Sequence, residues 1–423
     1  MSSLRIFSLS IALPLSAIAP LAAAAVNVMH WWVSPGEQAS IQVIQQYQAE
    51  RGIDWVTTAR KGSGTSNYMD AVRQRVASGA PPMAAQAIGY DIQDWAMQGK
   101  LANLDAIAAD QEWEEVIPAE IQALSRYRGH WVAVPINAHA TNRLWLNQQL
   151  LSHLELSAPD TWPDLLQMLD KARAAGVIAL AIGNEPWEYT LLFENVAAGT
   201  GGAEFYRRVF LDLTPTAADD PLLLQSFERM RQLRSYMDAG RHNRSWDEAT
   251  DLVRNGQALM QAQGTWVNGE FRAHGLIPEQ DYACFRFPDT QGLFLFNSDQ
   301  YMLFKDYPTT LEIREAFASS LMDVELQRQL NIATGAAPAR VDVPSATFDL
   351  CGQQAIKDLR ASNMRRTVMG SVAMGNANPG QVKEAIYTIV SSHLNGQLSD
   401  AEAVAQLKAA ITSFSPSSSG ISR

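Results

Sequence analysis

VNVMHWWVSPGEQASIQVIQQYQAERGIDWVTTA, residues 26–59, holds two strand-like runs around one helix-like run. VNVMHWW is apolar and bounded by a Ser-Pro-Gly stop, and it predicts a strand. In EQASIQVIQQYQAERG, Ile41, Ile44 and Tyr47 fall on one face of a 3.6-residue helix, and Gly52 ends it. IDWVTTA predicts the second strand. Trp31 and Trp32 are neighbours at the end of the first. Neighbouring side chains on a strand point to opposite faces. One ring is therefore expected in a core and the other on a surface, where it either lies half-covered or forms a platform for a ligand.

The same rhythm continues outward. TSNYMDAVRQRVASG (65–79) reads as a helix ended by Gly79 and closed by Pro81-Pro82, AAQAIG (84–89) as a strand and DIQDWAMQG (91–99) as a helix. A βαβαβα order implies a mostly parallel sheet covered on both faces. Such sheets place ligands at the carboxyl ends of their strands. His30-Trp31-Trp32 sits at one such end. Glu37 opens the helix that follows, where the helix N-terminus favours its charge.

Further along, GHWVAVPIN (129–137) predicts paired strands, TWPDLLQMLDKARAAG (161–176) a helix and VIALAIG (177–183) a strand. Residues 203–240 are expected to be helical. GQALMQAQGTW (256–266) is expected to be a strand ending at Trp266, and GLFLFNSDQYMLF (292–304) another. From Thr309 the chain is expected to be largely helical, with a frayed SPSSSGISR tail (415–423). No low-complexity linker divides it. Two lobes with no single boundary imply a chain that crosses between them more than once.

The first 25 residues carry one charge, Arg5, then an apolar run to Leu21 and small residues from Ala22 to Ala25. This is the pattern of a secretory signal peptide, with cleavage expected between Ala23 and Val26. The run is too short for a stable membrane span. Removing Arg5 takes the net charge from −11 to −12. With no basic patch in view, a nucleic-acid or anionic-membrane partner is not expected. About 400 mature residues suit two lobes.

Two cysteines, Cys284 and Cys351, in an exported chain favour one disulfide over two buried thiols. Neither Cys nor His spacing suits a metal, and no cofactor is indicated.

With these elements in order, the chain resembles extracellular solute-binding proteins of ABC sugar importers, near the branch that binds glucose-like monosaccharides. The resemblance runs through HWWVSPGE, RVASGAPPMAAQ, DIQDWAMQGKLANLD, YRGHWVAVPINAHATNRLWLN, GVIALAIGNEPWEYTLLFE, ALMQAQGTWVNGEF, FPDTQGLFLFNSDQYMLF and GAAPARVDV. It implies an α/β, two-lobed periplasmic-binding-protein fold of type II with the ligand cleft between the lobes. The expected N-terminal lobe is 26–137 plus 300–345, and the expected C-terminal lobe is 138–299 plus 346–423. A periplasmic monomer is expected. Its ligand would be a carbohydrate or polyol, and its partner an ABC permease or, alternatively, a membrane sensor such as a histidine kinase.

The resemblance implies ligand-binding roles for Trp31, Trp32, Glu37, Trp266, Asn297 and Asp299, with Gln86, His139, Trp187 and Asn376 as further candidates. One ring of the Trp31–Trp32 pair would stack on the apolar face of a pyranose, and Trp266 would approach from the other lobe. Carboxylates and amides would hold the hydroxyl rim. The sequence also departs from the family. Ala87, Thr334 and Met374 stand where sugar-binding relatives carry basic or histidine donors, with Asn376 or Asn378 as substitutes for the last. Unpaired buried hydroxyls cost about 1–3 kcal/mol each, which puts free glucose in doubt. A remote alternative is a retaining glycosidase, on Asn184-Glu185-Pro186 with Glu270 as the second carboxylate. The chain is otherwise expected not to be an enzyme.

Overall fold

A computed structural model describes residues 24–60 and 66–415 of the chain. Residues 1–23 of the expected signal peptide and residues 416–423 of the expected tail lie outside the described residues.

The opening stretch folds as its pattern demands. Strand Ala24–His30 and strand Ile53–Ala59 pair in parallel, Val26 opposite Trp55. Helix Pro35–Ala49 lies between them. Ser34 caps it, with Glu37 completing a capping box and Pro35 in the first turn. Ile41, Ile44 and Tyr47 are buried, as the 3.6-residue spacing requires. The first strand ends at His30, before the tryptophans. Strand alternation therefore does not govern Trp31 and Trp32, and the expectation of one ring in and one ring out does not hold.

The first sheet runs in the order Ile53–Ala59, Ala24–His30, Ala84–Ile88, Asp299–Leu303, Ala133–Pro135. Its first three strands are parallel; Asp299–Leu303 is antiparallel to both of its neighbours. Only one strand of the five is reversed, so the sheet is mostly parallel.

A second sheet repeats the design: Tyr282–Arg286, Arg143–Asn147, Ala258–Ala262, Ile178–Ala181, with Arg143–Asn147 reversed. A three-stranded sheet of Val368–Gly370, Phe294–Asn297 and His139–Ala140 lies on the same side of the chain's crossings. The core divides accordingly. One large apolar cluster fills the first lobe and reaches across the boundary, and a second fills the other lobe.

The predicted continuous strand 292–304 is two strands broken at Ser298, one in each lobe. Asp299, counted with the second lobe from the sequence, is hydrogen-bonded into the first sheet opposite Ile88. A second crossing lies between strand Ala133–Pro135 and strand His139–Ala140. A third lies between helix Val324–Thr334, packed on helix Pro35–Ala49, and helix Leu350–Arg365.

Two other expectations are corrected. Residues 203–240 are not continuous helix. The chain makes a π-turn at Arg207–Leu211, passes through left-handed Leu213, and restarts at Pro215 and Pro221, whose missing N–H groups suit helix starts rather than interiors. Trp266 does not end a strand. Strand Ala258–Ala262 stops four residues earlier, and Trp266 begins helix Trp266–Ala273.

The disulfide expected between Cys284 and Cys351 is formed, with its Cα atoms 6.0 Å apart. It ties strand Tyr282–Arg286 to helix Leu350–Arg365.

Candidate ligand-binding site

A cavity open to solvent lies between the lobes. Trp31, Trp32 and Glu37 reach it from the loop and helix start after the first strand, and Asp299 from the central crossing. His139, Trp187, Trp246, Trp266 and Asn297 reach it from the second lobe, and Thr334 and Met374 complete the wall. Five tryptophans thus face one space, and among the described residues no lysine or arginine joins them.

Both tryptophans of the opening pair line the cavity and both are only 5% exposed. Trp31 rests edge-on against Tyr68, centroids 5.1 Å apart, and the Tyr68 hydroxyl donates to the Met29 carbonyl at 3.0 Å. The ring is therefore backed by its own lobe while facing the cavity.

Trp266 is held differently. His139 and Trp187 meet it edge-on, at centroid distances of 5.3 and 6.1 Å. It folds back over Gly264, where a Cβ would stand 2.2 Å from the indole. The Gly-Thr-Trp order is thus a steric requirement: only glycine leaves room for the ring. Trp187 donates its indole N–H to Glu185 at 2.6 Å.

The polar floor is one network. Asp299 accepts from Gln86 Nε2 at 2.8 Å and from Asn137 Nδ2 at 2.9 Å. Gln86 Oε1 accepts from the Trp31 backbone N–H at 3.3 Å. Asp299 therefore fixes the start of the aromatic loop through Gln86. Asn137 Nδ2 also lies 3.1 Å from His139 Nε2, and His139 Nδ1 lies 2.9 Å from Thr265 Oγ1. Burial drives the His139 pKa down to about 3, so the ring is neutral. The network assigns its proton to Nδ1, leaving Nε2 to accept from Asn137. The 3.5 Å approach of His139 to Asp299 is therefore not an ion pair.

Burial also raises Asp299 to about 6 and Glu37 to about 7. Glu37 Oε2 accepts from the N–H groups of Val33 and Ser34 at 2.7 and 2.9 Å. These two bonds oppose the rise but do not cancel it. Glu37 is thus both a helix cap and a wall of the cavity.

Gln86 supports Asp299 rather than lining the space. Asn376 donates to Asn297 Oδ1 at 2.9 Å and to the Met374 carbonyl at 3.1 Å, behind the wall. Asn378 is turned away and donates to the Phe210 carbonyl at 2.6 Å. Of the three departures, Thr334 and Met374 line the cavity. Ala87 is fully buried on the face of its strand opposite to Gln86 and does not. Glu185 and Glu270, the carboxylates of the glycosidase alternative, are outside the wall; Glu185 is engaged by Trp187, and Glu270 by Ser34 and Gly36.

The sequence reading missed Gly36, Ser40, Trp246 and Gly269. A signal existed for Trp246. Ser245-x-x-Glu248 is a capping box, and it places Trp246 at the first position of helix Trp246–Arg254. It also missed Glu194, a buried carboxyl that accepts from Thr141 Oγ1, Ser371 Oγ and the Ala373 N–H and so positions the loop carrying Met374.

The profile of the family described as "Bacterial extracellular solute-binding protein" matches residues 33–312. A "Probable sugar-binding periplasmic protein" of Rhizobium meliloti (strain 1021) is 40% identical over 400 residues, covering 95% of this chain and 96% of that protein. One from Brucella suis biovar 1 (strain 1330), described in the same words, is 40% identical over 401 residues, covering 94% and 95%. Among solved structures, the bacterial solute receptor AcbH, described as having an exclusive preference for β-D-galactopyranose, superposes with a TM-score of 0.77. It is 16% identical, covering 92% of this chain and 97% of that one. A chitin oligosaccharide binding protein gives 0.74 at 19% identity, covering 92% and 98%. At these identities the structural likeness speaks for the fold.

Proposed function

Because the chain belongs to the bacterial extracellular solute-binding proteins, we propose that it captures a sugar between its two lobes and delivers it to the permease of an ABC importer. The observation that carries this reading is the five-tryptophan cavity with Asp299 and Glu37 at its polar side. A pyranose has an apolar C–H face and a hydroxyl rim. Indole rings cover the face, and carboxylate oxygens accept from the rim. The relatives named as sugar-binding support the ligand class, and the word periplasmic in their names supports action outside the cytoplasmic membrane.

Ligand contacts are assigned to Trp31, Trp32, Glu37, Trp187, Trp266, Asn297 and Asp299, with His139 as a neutral partner. Thr334 and Met374 offer the rim no charged donor, so free glucose should bind weakly. A thermal-shift screen of neutral, amino and acidic saccharides tests the reading, since a ligand of the folded form raises the melting midpoint by mass action. No shift from any saccharide would overturn it. Low-micromolar glucose binding by calorimetry would overturn the weak-grip reading of Thr334 and Met374.

A further inference from the structure

We propose that the sugar selected by this cavity carries a protonated amine, making it an amino sugar rather than a neutral or acidic one. The inference deepens the sugar-binding reading and rests on it. Its ground is the charge of the wall. Two carboxyl side chains, Glu37 and Asp299, face the cavity, and no lysine or arginine among the described residues faces them there. His139 is neutral, with Nε2 turned to Asn137 as an acceptor. An acidic sugar would enter against two carboxylates with no cation to receive it. A neutral sugar could donate hydroxyls to both carboxyls but would bring no positive charge to hold them ionised, and burial already favours their protonated forms. An ammonium group answers both. It donates to either carboxylate as a charge-assisted hydrogen bond, and it is attracted to the faces of the indoles around it. The net charge of −11 acts in the same direction at longer range.

The carboxylates are also held in place to receive such a group. Asp299 is oriented by Gln86 and Asn137, and Glu37 by two backbone N–H groups on one of its oxygens. The other ionisable group facing Glu37 is Glu270, on helix Trp266–Ala273, which is also acidic and adds to the pull on a cation.

Calorimetry on the full mature chain at pH 7 tests this with glucosamine and galactosamine, their N-acetyl forms, glucose, galactose and glucuronate. At least one amino sugar should bind tenfold or more tighter than both its N-acetyl form and its parent hexose, and glucuronate should not bind. Binding of the amine should release protons to the buffer, because a cation beside Glu37 draws its carboxyl toward the charged form. In Glu37→Gln or Asp299→Asn, each checked for an unchanged near-ultraviolet circular dichroism spectrum, the preference should fall below threefold in at least one. Equal affinity for amine and parent hexose, or binding of glucuronate, overturns the inference while leaving the sugar-binding reading standing. Failure of every sugar to bind overturns both.

Discussion

Glu270 Oε1 accepts a hydrogen bond from the backbone N–H of Gly36 at 3.1 Å, across the boundary between the lobes. The same oxygen is bonded by the Ser34 hydroxyl. A carboxylate of one lobe thus caps the N-terminus of a helix in the other, where unpaired N–H groups favour negative charge. The contact joins the two lobes directly, so it would have to break for them to part.

Gly36 is what permits it. A Cβ there would stand 2.7 Å from the backbone of Gly269 and Glu270. Gly36 lies in a helix, so alanine suits its own lobe as well as glycine or better. Gly36→Ala should keep or raise the melting temperature of the free protein while lowering sugar affinity at least tenfold. Small-angle scattering should show the variant failing to contract at ligand concentrations that contract the wild type. Equal contraction in the two proteins would refute the role.

Gly264→Ala should act on Trp266 alone, since the added methyl would occupy the place of the indole. Affinity should fall about as far as in Trp266→Ala, at least tenfold. A stacked ring contributes on the order of 1 kcal/mol beyond its buried area, and the area adds a similar amount. Tryptophan fluorescence should report the displaced ring. Wild-type affinity in Gly264→Ala would show that the indole position is not set by this contact.

The Cys284–Cys351 bridge closes a loop of sequence separation 67. In the chain-entropy view such a loop is worth about 4 kcal/mol. The denatured, unreduced protein should show no labelled thiol, and Cys284→Ser/Cys351→Ser should lower the denaturant midpoint, with an unfolding free energy reduced by a comparable amount. Two labelled thiols in the unreduced protein would reject the bridge.

Stability should fall as pH rises from 6.5 to 8. Burial raises Glu188 to about 8 and Glu37 and Glu194 to about 7. In that window the folded protein keeps protons that the unfolded chain, with carboxyls near 4.5, has already released, so raising the pH favours unfolding. Below 6.5 the buried neutral His30 and His139, held to about 4 and 3, oppose this trend, because the unfolded chain then binds protons that the folded one refuses. Glu188→Gln should flatten the slope between pH 7 and 8, where one group can contribute at most about 1.4 kcal/mol per pH unit. An unchanged slope in melting temperature would show that Glu188 is not the group responsible.

What the sequence made legible was local. Ile41, Ile44 and Tyr47 announced a helix face, and the strand IDWVTTA has the bounds its pattern predicted. Trp31 and Trp32 stand out as neighbours after a strand, whereas Trp266 and Asp299 are marked only by the resemblance to the family; the structure brings all four to one cavity. The misreadings arose where a single residue changes the rule. Ser298 divides one apolar run between two sheets, and no periodicity marks it. Gly264 turns an apparent strand end into a helix start by giving the Trp266 ring a place to fold back. Glu194 was hidden because its partners Thr141, Ser371 and Ala373 come from distant segments.

The crossings are tied to one another as well as to the lobes. Ile136 donates its N–H to the Asp299 carbonyl at 2.9 Å, Ser298 Oγ donates to the Asn137 carbonyl at 2.7 Å, and Asn137 Oδ1 accepts from the Asp299 N–H at 2.8 Å. Ala138 and Ala337 exchange backbone bonds at 2.8 and 3.2 Å, joining the third segment. Three segments of chain laced edge to edge in this way form one line of attachment between the lobes, about which they could bend like a leaf spring. Were the lobes to swing about it, points on that line would travel least. Asn297, Asp299 and His139 lie on it or beside it, whereas Gly36 and Glu270 belong to the helices that meet across the gap. On a hinge there, a ligand would meet its polar seat at the pivot, and the Glu270–Gly36 clasp, farther out, would be the contact most exposed to any parting of the lobes.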